Sequence, residues 1–139
     1  MSRVILGAVG YLNARPLVHD LARSSRFTVR FDVPSRCADL LHEGAIDLGL
    51  IPSIEYLRAT PDDGYRIVPG PAIVSHGPVA SVMLYATTPL RQVRSIALDT
   101  SSRTSVALTR VLCEKAGWRR LRIRRHPWLL RVSVEAGRA

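Results

Sequence analysis

The chain has 139 residues, 47% of them hydrophobic and 22% charged, and a formal net charge of +9. That length and balance suit one soluble globular domain with a real core and exclude a disordered polymer; no apolar run reaches the roughly 18 residues of a membrane span. The charge does not describe a nucleic-acid-binding face either, because residues 117–139 hold seven arginines against one acid, Glu135, and leave the first 116 residues with only +3.

In chain order, "RVILGAVG" (3–10) is a β-rich apolar run ending in glycine. It reads as a first strand rather than a signal peptide, since "NARP" lacks a small-x-small cleavage pattern and two glycines dilute the run. "ARPLVHDLARS" (14–24) sets Leu17, Val18 and Leu21 at helical spacing, and "FTVRFDV" (27–33) alternates as a strand does. "PSRCADLLHEGA" (34–45) opens on Pro34-Ser35 as a helix start and closes on Gly44 as a stop. "IDLGLI" (46–51) has the composition of a short buried parallel strand. The first fifty residues therefore read β-α-β-α-β, an open sheet with helices on its faces.

"PSIEYLRA" (52–59) is a short helix running into the polar loop "TPDDGY". "RIVPGPAIVS" (66–75) and "PVASVMLYATT" (78–88) are strand-like pieces punctuated by Pro69, Pro71, Gly77 and Pro78. After "PLRQV" comes a strand, "SIALD" (95–99), then a cluster of hydroxyls, then the helix "TSVALTRVLCEKAG" (104–117). Past Gly117 the composition turns arginine-rich. That stretch reads as a tail, either a basic arm for an anionic partner or out-of-frame sequence, and the second reading is favoured.

Ligands of open α/β sheets sit outside the carboxyl ends of the strands, so polar residues just after strands are site candidates. Three groups qualify: Tyr11, Asn13 and Arg15 after the first strand, Ser81 in a Gly/Pro-framed strand, and Thr100 to Ser105 after "SIALD". Five hydroxyls (Thr100, Ser101, Ser102, Thr104 and Ser105) at the mouth of a helix exceed what one N-cap needs and suit an anion. Asn13 is by default a turn residue, and spacing alone leaves Arg15 facing either solvent or ligand.

The remaining residues point to ordinary structure. Cys37 and Cys113 form no C-x-x-C, which suits a reduced cytoplasmic protein. His19, His42, His76 and His126 are scattered, so no metal site is expected. Asp47 and Glu55 read as a strand-start acid and a helix-surface acid. No G-x-G-x-x-G, Walker A loop or G-x-S-x-G elbow is present.

Four segments, "VGYLNARPL", "GAIDLGLIPSIEY", "GPVASVMLY" and "IALDTSSRTSVALTRVL", resemble in order the chorismate dehydratase family of the futalosine route to menaquinone, over residues 3 to about 117. The resemblance implies a type II periplasmic-binding-protein-like two-lobe α/β fold. Residues 1–88 would form the first lobe, largely present. Residues 89–117 would be the crossover and the start of an incomplete second lobe, and residues 118–139 the basic tail of a truncated chain.

The resemblance further implies a cytoplasmic lyase that removes water from chorismate, with no cofactor, no nucleic acid and no membrane as partner. Asn13 and Ser81 would face the reacting ring, and Tyr11, Arg15, Ser101, Ser102, Thr104 and Ser105 would bind the dicarboxylate substrate. The alternatives are a non-catalytic small-anion or solute-binding module of the same fold, the sister dihydroxynaphthoate-forming enzyme, a nucleic-acid binder acting through the tail, and a gene product of the right family that has lost its activity.

Overall fold

The computed structural model describes residues 2–59, 64–77, 79, 82–118 and 122–126. Its first unit, Met1–Ser75, is organised around β1 (Val4–Val9). β1 pairs in parallel with β2 (Phe27–Asp32), from Val4 opposite Phe27 to Val9 opposite Asp32. On its other edge it pairs with the short β3 (Leu48–Gly49), giving the order β2-β1-β3.

A strand with neighbours on both edges and cover on both faces must be apolar throughout, and "VILGAV" meets that demand. On one face Leu6 and Ala8 pack with Val18 of α1 (Arg15–Val18), joined by Leu17, Leu21, Phe27, Val29, Leu48 and Leu50. On the other lies α2 (Pro34–His42), whose buried residues are Cys37, Ala38 and Leu40. Gly7 leaves room for Ile46: a Cβ there would stand 2.5 Å from Ile46 Cδ1, whereas Cys37 Sγ of α2, at 3.6 Å, would be at ordinary contact distance. The Cys37 thiol reaches the Ala8 carbonyl at 3.5 Å.

Asp47 has the structural role expected of it. Its Oδ2 accepts the Ile5 N–H at 2.7 Å, and its own N–H donates to the Ile5 carbonyl at 2.9 Å. Glu55 lies on α3 (Ser53–Arg58), paired with Arg58 at 3.3 Å, but its side chain is only 14% exposed, so it is not the helix-surface acid expected.

The second unit, His76–Ala139, contains a β-α-β element. β4 (Ser95–Asp99) leads into α4 (Arg103–Lys115), and β5 (Arg122–His126) lies parallel to β4, from Ser95 opposite Arg122 to Asp99 opposite His126. Val93, Ile96, Leu98 and Cys113 form its core, with Val106 and Trp118 against it.

Both long helices stop the same way. Gly44 follows α2 at φ +68°, with Gly44 N–H on the Leu41 carbonyl and Ala45 N–H on the Leu40 carbonyl. Gly117 follows α4 at φ +71°, with Gly117 N–H on Glu114 and Trp118 N–H on Cys113. These paired bonds are the usual way to satisfy terminal carbonyls, and the left-handed position favours glycine.

The chain divides into its two compact units at Ser75/His76. Two expectations about individual segments are amended. Among the described residues of 64–88 no strand forms: Pro69 and Pro71 have no N–H to give a ladder, and Ile67 and Val74 are 68% and 86% exposed. Finally, β5 lies inside the stretch read as a tail, and it carries the alternation of Ile123 with Arg122 and Arg124 that a strand requires.

Candidate functional site

Of the residues singled out after β1, Tyr11, Asn13 and Arg15 are all exposed. A single 3-10 turn, Leu12–Ala14, carries the chain from the strand into α1, with the Ala14 N–H on the Tyr11 carbonyl at 3.0 Å. Ala14 is fully buried and anchors the turn, so its neighbours project from a fixed base. Pro16 falls in the first turn of α1, where its missing N–H costs nothing.

With Gly10, Val18, His19, Ala22 and Phe31, the exposed Arg15 lines an open concavity of about 450 Å³ at the carboxyl ends of β1 and β2. Sequence reasoning missed His19 and Phe31 as lining residues. The available signal was His19 four residues after Arg15, on the same helical face.

In the second unit, Asp99 closes β4 and organises the turn that follows. Its carboxylate accepts the Ser101 N–H at 2.8 Å and the Ser101 hydroxyl at 2.9 Å. Ser102 occupies the N-cap position of α4 but makes no side-chain cap hydrogen bond. Its hydroxyl is 2.8 Å from that of Ser105, and the Thr109 hydroxyl donates back to the Ser105 carbonyl at 2.8 Å. Thr104 is exposed, and Thr100, Ser101, Ser102 and Ser105 are half-buried.

The hydroxyls of Ser101, Ser102 and Ser105 are therefore engaged with Asp99 or with one another, and Ser102 does not cap the helix. The first turn of α4 thus has no side-chain cap from Ser102, and a helix N-terminus favours negative charge. Asp99 is the residue sequence reading passed over, although an aspartate two positions before a serine at a strand end is the signature of such a turn. Its carboxylate also sets a limit: an incoming anion shares the turn with a negative charge already held by Ser101.

Ser81 lies outside the described residues. Among the described residues no group of three or more His, Cys, Asp or Glu could hold a metal ion, and no helix is long and apolar enough to cross a membrane. Both cysteines are buried and free. Burial pushes the Cys37 thiol above its ordinary pKa of 9.0, aided by the Asp32 carboxylate, and burial raises Cys113 in the same direction. Neither is an activated nucleophile.

Compared with known proteins, the chain matches a family model described as "Menaquinone biosynthesis" over residues 4–134. It is 36% identical over 117 residues to the chorismate dehydratase of Thermus thermophilus. That alignment covers 84% of this chain and 42% of the relative. The chain thus spans well under half the length of the curated relative it matches.

Proposed function

The chain belongs to the menaquinone biosynthesis family, and on that premise we propose that it acts as a chorismate dehydratase in the cytoplasm, on a two-lobe frame like that of type II periplasmic binding proteins. The observation that carries this reading is the alignment with a chorismate dehydratase over most of the chain. The uncapped first turn of α4 and the Arg15-lined pocket support its substrate-holding part.

The proposed reaction removes water across C3–C4 of chorismate and leaves 3-[(1-carboxyvinyl)oxy]benzoate. The C3 proton is acidified through the conjugated diene carboxylate, so its loss gives a delocalised carbanion. The C4 hydroxyl then departs with a proton as water, and aromatisation drives this second step. Because the C3 ether and the C4 hydroxyl are trans, the lost hydrogen and hydroxyl share one face, and such syn elimination favours two steps over one.

A site for this chemistry must hold carboxylates and stabilise spreading negative charge, which oriented neutral donors do well. In the proposal the Asn13 amide and the Ser81 hydroxyl serve the ring. Arg15 and Tyr11 bind the substrate from the first unit. Ser101, Ser102, Thr104 and Ser105, with the N–H groups of the first turn of α4, hold a carboxylate. The substrate's own side-chain carboxylate accepts the C3 proton, so no residue is assigned as base.

The test is to incubate the purified chain with chorismate, follow the aromatic product by chromatography and measure chorismate binding by calorimetry. Product formation that falls by about 10²-fold or more in Asn13→Ala and in Ser81→Ala supports the reading. Binding without turnover replaces it with a solute-binding module of the same fold. The absence of both binding and turnover overturns it.

A further inference from the structure

We propose that the pocket at the carboxyl ends of β1 and β2 is a subsite for a planar carboxylate, in which His19 and Phe31 determine specificity beside Arg15. The inference rests on the reading above only for the substrate that would use it. The subsite itself is argued from the lining residues.

Arg15, Val18, His19 and Ala22 stand at the spacing i, i+3, i+4 and i+7. Although α1 ends at Val18, the backbone stays helical through His19 (φ −54°, ψ −54°) and Asp20 (φ −79°, ψ −28°). One helical face therefore supplies four of the six lining residues, and Gly10 and Phe31 supply the strand ends. Val18 is 3% exposed and forms an apolar floor, while Phe31 remains 55% exposed with its ring available.

This composition selects among ligands. A metal cation is disfavoured, because the lining offers one imidazole, a permanently charged guanidinium and no carboxylate. A bare tetrahedral anion would meet the guanidinium but gain nothing from Phe31, Val18 and Ala22. A flat ring bearing a carboxylate uses every part: the planar guanidinium fork matches the carboxylate, His19 one turn on adds a second donor, and the ring lies on Phe31. The volume of about 450 Å³ is within the range of small-molecule pockets.

Gly10 supplies a clean probe. A Cβ there meets nothing within 4 Å, and Gly10 is not among the glycines with positive φ. Because Gly10 lines the pocket, a larger side chain there is expected to take up pocket space without straining the fold. Gly10→Leu is thus a pocket-filling variant whose folding is checked by its circular dichroism.

The experiment titrates the full, isotope-labelled chain with benzoate and follows backbone amide signals by NMR. The expected result is shifts concentrated at Gly10, Arg15, His19 and Ala22, with no binding in Gly10→Leu. Affinity should fall about tenfold in Arg15→Ala and about threefold in His19→Ala and in Phe31→Ala. Cyclohexanecarboxylate, which is not flat, should bind more weakly than benzoate.

The proposal is overturned if inorganic phosphate reproduces the benzoate pattern at equal affinity, if the shifts fall on Ser101 to Ser105 instead, or if a folded Gly10→Leu binds benzoate as well as the parent. Benzoate bound as expected, with chorismate neither bound nor converted, keeps the subsite and removes the dehydratase reading. Chorismate converted with unchanged KM in His19→Ala and Phe31→Ala keeps that reading and removes the subsite.

Discussion

β1 and β4 each lead into a helix and lie beside a parallel partner, but they are supported differently. β1 has a strand on either edge and a helix on either face. β4 has β5 as the other strand of its two-stranded sheet, and α4 leaves Leu108, Val111 and Leu112 between 45% and 55% exposed. Four successive residues of β1 are buried, Leu6 to Val9. Among the described residues, the same parallel pairing is thus covered on more sides in the first unit than in the second. Burial on several sides, not strand pairing alone, sets what a substitution costs.

The largest effects should come from the two cores. Leu6→Ala and Ile96→Ala each remove a side chain that is at most 3% exposed and should cost about 2–5 kcal/mol. Hydrogen exchange read unit by unit should show each loss confined to its own unit. If Ile96→Ala abolished protection around β1 as well, the distinction between the two units would collapse.

A smaller, matched pair of effects should come from the helix stops. Gly44 and Gly117 have nearly the same positive φ, and a Cβ at either meets nothing within 4 Å. Gly44→Ala and Gly117→Ala should therefore each cost about 1 kcal/mol, through backbone conformation alone. Denaturant midpoints of the two variants check this. A much cheaper Gly117→Ala would mean that the bonds from Gly117 and Trp118 contribute little.

The Cys37 thiol sharpens the comparison through pH. Its pKa in the folded chain is raised, so the folded state holds the proton more tightly than the unfolded one. That stabilisation is complete below the ordinary value of 9.0 and is lost as pH rises from there through the folded value. Thermal melts from about pH 8 to about pH 10 should show a steeper decline for the parent than for Cys37→Ala. In the folded chain the thiol should also react more slowly with an alkylating agent than the same thiol in denaturant.

The smallest effect belongs to the surface. Arg36 and Glu43 pair at 3.0 Å with side chains 42% and 51% exposed. Glu43→Ala should change stability by no more than about 0.5 kcal/mol and respond weakly to salt.

The sequence made the first unit largely legible because its signals are local. Pro34, Gly44 and the apolar run of β1 each act within a few residues, and α2 begins and ends where they imply. The described residues of 66–88 depart from expectation for the opposite reason. The apolar ones meet the composition of strands, but a strand also needs a neighbour, and no sequence window records whether one is there. β5 was hidden by its arginines, whose number drew the eye from their alternation. At the candidate site, hydroxyls at a strand end were visible, whereas their partnership with Asp99 depends on a turn geometry that composition does not display. His19 and Phe31 meet at one pocket from separate elements, and only the fold brings them together.

The close approach at Gly7 carries one more consequence, for how this sheet can evolve. The space a side chain would take at position 7 is already filled by the terminal methyl of Ile46, so the two positions share a single allotment of volume. Alanine at 7 should be accepted in company with valine at 46, which lacks that methyl, and resisted without it. Among proteins built on this sheet, positions 7 and 46 should change as a pair. The double substitution Gly7→Ala with Ile46→Val, compared with each single one, reads that coupling directly.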